Sequence, residues 1–372
     1  MRNYGKKNSV DLNPMHYNIV LLGESGIGKT TIVYQMCKKL CGDDGYLHFD
    51  IGRECGAAAI EGIVSEPIED WAKLNEVVDE IVENKTTDYA DMQVVIWDTF
   101  DELIILAEKE AIRQHNKKNP DKKADTINSV AGGFGRGQDK AIELILDAIW
   151  KLKGVGISSV IISHVKRSDV VDPLTQESYS KITADTQQKY FNAIKNKMAF
   201  VALAYIDRNI VTQKTGRKDI KGNDITTNKV VSEARVINFR DDTYAVDSKS
   251  RFADIVDKIP FDVDTFIKAM QDAIIAEKTK GGKSIAEAEE EQKARDKNAA
   301  KAAAQYSKNA KANKIDIERN EDIIAEIRSR FADAPEEIQN KVKDTMKAVG
   351  ISNFRDAEVP TEALETILAV LG

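Results

Sequence analysis

Short apolar runs alternate with amphipathic segments from about residue 18 to about residue 262. The apolar runs are typical of buried strands, and the segments between them have the periodicity of helices. This order predicts an α/β fold with a mostly parallel sheet. The predicted strands are residues 18–22, 46–50, 62–65, 93–97, 159–163 and 199–205, and the predicted helices between them are residues 31–40, 70–83, 103–115, 139–151 and 184–195.

The alternation changes after the last of these strands. Residues 230–239 and 243–246 flank the polar triplet Arg240-Asp241-Asp242, which predicts an antiparallel hairpin at the edge of the sheet. A helix is predicted to follow at residues 263–278.

The C-terminal part has a different composition. Residues 283–314 are dominated by Ala, Lys, Glu, Gln and Asn and nearly lack large apolar side chains, which predicts a linker or a solvated helix. Apolar spacing returns from residue 315 and predicts about three short helices. The predicted division is a polar tail at 1–17, a core at 18–280, a linker or solvated helix at 281–314 and a small all-α domain at 315–372.

Composition narrows the possible functions. The 372 residues carry a formal net charge of -7, which excludes a uniformly basic nucleic-acid binder but allows local basic loops. Neither a run of membrane-spanning length nor a signal-peptide stretch is found, so we expect a cytoplasmic protein that does not engage membranes. The three Cys residues form no C-x-x-C pair, which predicts reduced thiols without disulfides or zinc.

Residues 23–30 match the phosphate-binding motif G-x-x-x-x-G-K-[ST] without a mismatch. A predicted strand precedes them and a predicted helix follows, which is the setting that this motif requires. Lys29 is expected to reach the β- and γ-phosphates, and the Thr30 hydroxyl is expected to hold Mg²⁺. The predicted nucleotide-binding residues are Gly23, Glu24, Ser25, Gly26, Ile27, Gly28, Lys29, Thr30 and Thr31.

A second apolar strand ends in Asp98, which is expected to hold Mg²⁺ through the water shell of the metal. Thr99 stands where hexameric AAA+ motors carry a catalytic Glu, which argues against that class. Asp101 replaces the glycine of a GTPase switch, and residues 84–88 have one residue too many for N-K-x-D. A small-molecule kinase stays open, although no arginine-rich lid is evident.

With these motifs, residues 18 to about 275 resemble the RecA-like ATPases. More narrowly, they resemble phage-encoded AAA-type ATP-binding proteins that include the Sak-type single-strand-annealing recombinases. The resemblance implies ATP and Mg²⁺ as cofactors, and ATP hydrolysis that is weak or stimulated by DNA. It also implies single-stranded DNA as a partner, assembly into oligomers or filaments, and a location in the host cytoplasm.

The resemblance also assigns residues. His164, at the end of the strand 159–163, falls where RecA-like proteins place a group that senses the γ-phosphate, or it has no role. Lys249 and Arg251 are placed two apart on a strand, where cations of a neighbouring subunit reach the ATP, or they form a solvated edge. RecA-like proteins usually carry a general base at the position of Gly52, so Glu54 is the first choice for that base here.

Two polar segments are candidate DNA contacts. Residues 114–138 include Phe134 for base stacking and Arg136 for a phosphate. Residues 166–182 include Lys166 and Arg167. The alternative for both segments is a solvated surface loop.

The resulting hypothesis is an ATPase that acts on single-stranded DNA in phage recombination or annealing. A single-strand-binding or other recombination protein is a further possible partner, through the C-terminal helices. Three alternatives remain from the sequence: a helicase, helicase loader or packaging motor; a nucleotide-gated interaction protein without DNA binding; and a small-molecule kinase.

Overall fold

A computed structural model describes residues 9–53, 55–172, 175–218, 224–240, 248–280, 282, 284–315, 317–351, 357 and 359–371. The chain divides into two compact units. The first comprises Met1–Val78 and Asp91–Ala299, and the second comprises Asp79–Ala90 and Ala300–Gly372.

The first unit is built on a mixed sheet with a parallel centre. Among the described residues the strands are β1 (Ile19–Gly23), β2 (Tyr46–Ile51), β3 (Ser65–Ile68), β4 (Val94–Asp98), β5 (Ser158–Val171), β6 (Ser178–Ala184), β7 (Phe200–Lys218), β8 (Asp224–Asn238), β9 (Lys249–Ser250) and β10 (Lys258–Pro260). Their order is β10-β8-β7-β1-β5-β4-β2-β3, while β6 pairs with β5 and β9 with β7. The pairs from β7 to β3 are parallel, and the others are antiparallel.

Helices cover both faces of the parallel centre. They are α1 (Lys29–Cys41), α2 (Trp71–Glu83), α3 (Phe100–Lys118), α4 (Arg136–Gly154), α5 (Gln188–Lys195) and α6 (Val263–Thr279), and the chain continues after them into α7 (Ile285–Ala312). All five residues of β1 are buried, as expected for a strand covered on both sides. Ile19 and Leu21 share a core cluster with α1 and α6, and the alternate residues Val20 and Leu22 point to the opposite face. The predicted α/β fold with a mostly parallel sheet is therefore confirmed.

The predicted antiparallel extension at the edge of the sheet is present. β8 pairs with the long strand β7 and with β10, and residues 243–246, the predicted partner of 230–239, lie outside the described residues. The apolar pattern predicts that β7 ends near residue 205. Main-chain pairing extends the strand through polar residues to Lys218. Likewise, β3 occupies Ser65–Ile68, later than the predicted 62–65.

Residues 9–17, assigned to a polar tail from the sequence, belong to the first unit and pack within it. Met15 is fully buried within a short 3-10 helix, Pro14–His16. The Lys278 ammonium donates hydrogen bonds to Ser9 Oγ at 2.6 Å and to the Val10 carbonyl at 3.0 Å. This segment therefore contributes to the fold instead of extending from it.

The second unit has an apolar core of its own. α8 (Ile317–Asp333), α9 (Glu336–Ala348) and α10 (Thr361–Val370) enclose a cluster that includes Ile327, Val342 and Leu364, each fully buried. The buried Asn320 side chain donates to the carbonyls of Ala357 and Val359, both at 2.8 Å. Burial of these apolar side chains, together with that polar link, holds the helices together.

Candidate nucleotide site

The phosphate loop, residues 23–30, joins the carboxyl end of β1 to the start of α1. Gly28 caps α1 with φ 105°, a left-handed conformation that favours glycine. The loop therefore presents backbone N–H groups at the positive end of a helix dipole, which is an arrangement suited to phosphate.

The Lys29 side chain is folded over this loop. Its ammonium donates to the carbonyls of Gly23 and Glu24, both at 3.1 Å, and the residue is only 6% exposed. The cation is therefore held at the loop whose backbone N–H groups would bind a triphosphate.

Thr30 and Asp98 meet beside the loop. Thr30 Oγ1 donates to Asp98 Oδ2 at 2.6 Å, and Asp98 is only 4% exposed. Gly56 lies against this pair. A Cβ at Gly56 would stand 3.4 Å from Asp98 Oδ2 and from Thr30 Oγ1. A hydroxyl and a carboxylate are the oxygen donors that Mg²⁺ prefers, so these residues fit the metal.

His48 is a site neighbour that the sequence analysis did not identify. It is fully buried on β2, and its Nε2 lies 3.6 Å from Asp98 Oδ2. Burial lowers the pKa of His48 to about 4, so the imidazole is neutral near pH 7 and forms no salt bridge with Asp98. The signal available from the sequence was a lone His within an apolar strand.

His164 lies at the edge of the phosphate loop, because it pairs in register with Gly23. Its backbone N–H and the Ser163 hydroxyl both donate to Asp101 Oδ2 at 3.1 Å. Asp101, in the first turn of α3, therefore ties the middle of β5 to the end of β4. The structure brings the predicted sensing residue next to the loop.

Two antiparallel hairpins contact the phosphate loop through arginines. Arg167, at the base of the β5–β6 hairpin, lies 3.3 Å from Glu24 Oε1. Arg235, on β8 of the β7–β8 hairpin, donates to the Ile27 carbonyl at 3.3 Å. Arg235 also lies over the Phe261 ring. Arg235 was not identified from the sequence, because its approach depends on the β7–β8 pairing.

Lys249 and Arg251 lie away from the phosphate loop of their own chain. β9 pairs with the first residues of β7, which adjoin the start of β1, whereas the loop follows the end of β1. Arg251 Nε donates to the Met198 carbonyl at 3.0 Å, and Nη2 donates to the Asn196 carbonyl at 2.9 Å. The guanidinium thus binds carbonyls that follow α5, and a contact with ATP would require a second subunit. Glu54 lies outside the described residues.

The candidate DNA contacts fall on two different structures. Phe134 is 99% exposed, and Arg136, two residues later, begins α4. Residues 166–182, predicted as a loop, instead lie largely in the β5–β6 hairpin, where Val165–Val171 pairs with Ser178–Ala184. Lys166 is exposed there, and its ammonium lies 3.4 Å from Asp185 Oδ1. The loop prediction is therefore wrong, because its polar residues pair through the main chain.

Comparison with known families agrees with this geometry. A family model described as an AAA domain matches residues 15–252 of the 372-residue chain. The chain belongs to this family. Membership supports a nucleotide-binding core of the phosphate-loop NTPase type. No curated protein sequence matches the chain. Among the described helices, none combines the length and apolar character needed to cross a membrane.

Proposed function

We propose that the protein binds Mg²⁺ and ATP at the phosphate loop and hydrolyses the γ-phosphoryl group. The observation that carries this proposal is the 2.6 Å contact between Thr30 and Asp98, beside the Lys29 ammonium. The preference for adenine follows from the family resemblance.

Each group of this site has a task in the proposed reaction. The loop N–H groups and Lys29 hold the β- and γ-phosphate oxygens, where negative charge is concentrated. Thr30 and Asp98 would hold the metal, which neutralises charge on the same oxygens when bound. His164 and Arg167, in the middle of β5 where its pairing with β6 begins, lie near enough to the loop to respond to the γ-phosphate.

The proposed substrate on which the ATPase acts is single-stranded DNA, in annealing or recombination of phage type. Phe134 offers an exposed ring for base stacking, with Arg136 close by in the chain. Arg167 supports a link to the nucleotide, because a DNA phosphate would compete with Glu24 for the same guanidinium. Binding of DNA on the β5–β6 hairpin would then alter the contacts of the phosphate loop.

Assembly and location complete the proposal. Lys249 and Arg251 would reach the ATP of a neighbouring subunit, and the C-terminal helices would dock a single-strand-binding protein or another recombination protein. The expected location is the cytoplasm, that of the host if the protein is phage-encoded. Mixing Arg251→Ala with Lys29→Ala subunits tests assembly in trans, because the mixture should recover turnover that each variant lacks alone. An inactive mixture refutes this geometry.

The decisive experiment measures ATP binding by calorimetry and single-stranded DNA binding across a salt series. Lys29→Ala should abolish ATP binding while the far-UV circular dichroism stays that of the wild type. DNA affinity should fall steeply as salt rises, because phosphate contacts release counterions. Phe134→Ala should weaken it by about 1–3 kcal/mol for each stacked base, without changing ATP affinity. Unchanged ATP affinity of Lys29→Ala refutes the nucleotide site, and absent DNA binding refutes the recombination role.

A further inference from the structure

Hydrolysis of ATP requires a group that orients the attacking water. In RecA-like proteins this group usually stands two residues after the Asp that ends the strand corresponding to β2. In this chain that position is Gly52, which has no side chain to offer. A side chain from another element fills the space that a side chain at position 52 would occupy.

Glu102, in the first turn of α3, fills it. A Cβ on Gly52 would stand 2.2 Å from Glu102 Oε2 and 2.8 Å from its Cδ. Gly52 itself has φ 75°, which favours glycine, so the backbone and the carboxylate fit only without a side chain at 52. The carboxylate of Glu102 thus replaces, from another element, the side chain that position 52 lacks.

The strand register places this carboxylate at the edge of the nucleotide site. β2 and β4 are parallel, and Asp50 pairs with Asp98. Gly52 and Glu102 both follow this pair, so they lie with Asp98 at the carboxyl ends of the parallel strands. Gly56, a few residues beyond Gly52, lies against Thr30 and Asp98.

The neighbouring carboxylates are already engaged. Asp98 accepts from Thr30, Asp101 accepts from Ser163 and His164, and Glu24 pairs with Arg167. Glu102 is partly exposed, and within the described part of the chain no donor or cation pairs with it. It is therefore available to bind a water molecule.

We propose that Glu102 is the catalytic base. Its carboxylate orients a water whose oxygen attacks the γ-phosphorus while the bond to the β,γ-bridging oxygen breaks. The water proton passes to Glu102, and ADP leaves with the bridging oxygen. This assignment rests on the proposed ATPase activity.

The test compares Glu102→Gln with Glu108→Gln, in the full-length chain with single-stranded DNA present. Both substitutions keep size and remove one charge on α3, but Glu108 accepts a hydrogen bond from Tyr190 Oη, away from the loop. Glu102→Gln should lower kcat by about 100-fold or more and leave the Kd for ATP within about twofold. Glu108→Gln should retain the wild-type kcat.

A second variant acts through the neighbour. Gly52→Ala should displace the Glu102 carboxylate and lower kcat, again with ATP binding retained. Asp50→Asn and Glu54→Gln test Asp50, on β2, and the acid that the sequence analysis selected. Wild-type turnover by Glu102→Gln, or loss of turnover only in one of these two variants, overturns the assignment. A wild-type chain that binds ATP but never hydrolyses it removes the proposed ATPase itself and the assignment with it.

Discussion

Asp98 offers a direct test of the metal site, because its role predicts an effect that depends on Mg²⁺. Asp98→Asn keeps the size of the side chain and an oxygen that can accept from Thr30 Oγ1, now 2.6 Å away. It removes the charge that would order the water shell of the metal. Loss of such an outer contact typically weakens metal affinity by about 10–100-fold, or ~1.4–2.7 kcal/mol.

Calorimetry of ATP binding, with Mg²⁺ and then with EDTA, measures this effect. We expect weaker ATP binding only in the buffer that contains Mg²⁺. Without metal, the uncharged Asn repels the triphosphate less than Asp does, so affinity should not fall. The nucleotide-free variant should unfold at no lower a denaturant concentration than the wild type, since a buried charge has been removed. Equal losses in both buffers, or no loss in either, would refute the reasoning.

Asp11→Asn is the matched control for Asp98→Asn. Asp11 is 7% exposed, so it is also a buried carboxylate of the first unit. It lies near the amino ends of the parallel strands, away from Asp98. The nearby Asn13 side chain donates to Gln93, which directly precedes β4. Its substitution should leave the affinity for ATP unchanged in both buffers.

Two further predictions concern stability. Burial lowers the pKa of His48 from 6.5 to about 4, so between these pH values the unfolded chain binds a proton that the folded chain excludes. The free energy of unfolding should therefore be highest above pH 6.5 and fall by up to ~3 kcal/mol towards pH 4. Urea titrations of His48→Gln should no longer show this part of the pH dependence. In the second unit, Ile327→Ala should lower the free energy of unfolding by about 2–5 kcal/mol, whereas Ile315→Ala, at a half-exposed residue, should change it by under about 0.5 kcal/mol; equal effects would contradict the assigned core.

The central strands and the phosphate loop could be predicted because their signals are local. A buried parallel strand is a continuous apolar run, and the loop motif is a contiguous set of residues whose chemistry depends on its own backbone. Asp98 follows the same logic, since it ends such a run. The structure adds the contact with Thr30, which depends on β5 lying between β1 and β4.

The full extent of the two hairpins could not be predicted, because their strands continue through polar residues. Main-chain hydrogen bonds stabilise β5–β6 and β7–β8 whatever the side chains are, so apolar periodicity ends too early. The contacts of Arg167 with Glu24 and of Arg235 with Ile27 are consequences of those pairings. Arg167 was therefore predicted only as a DNA contact, and Arg235 was not predicted at all.

Glu102 shows a second limit of reasoning from motifs. A search along the chain for a carboxylate after β2 reaches Glu54, because it moves to the next acid in sequence. In space, Gly52 is covered by Glu102, which enters from α3. A missing side chain carries no local signal of what fills its place. A carboxylate in the first turn of a helix also stands on a rigid element, and its position relative to Asp98 is set by the short connection from β4 to α3.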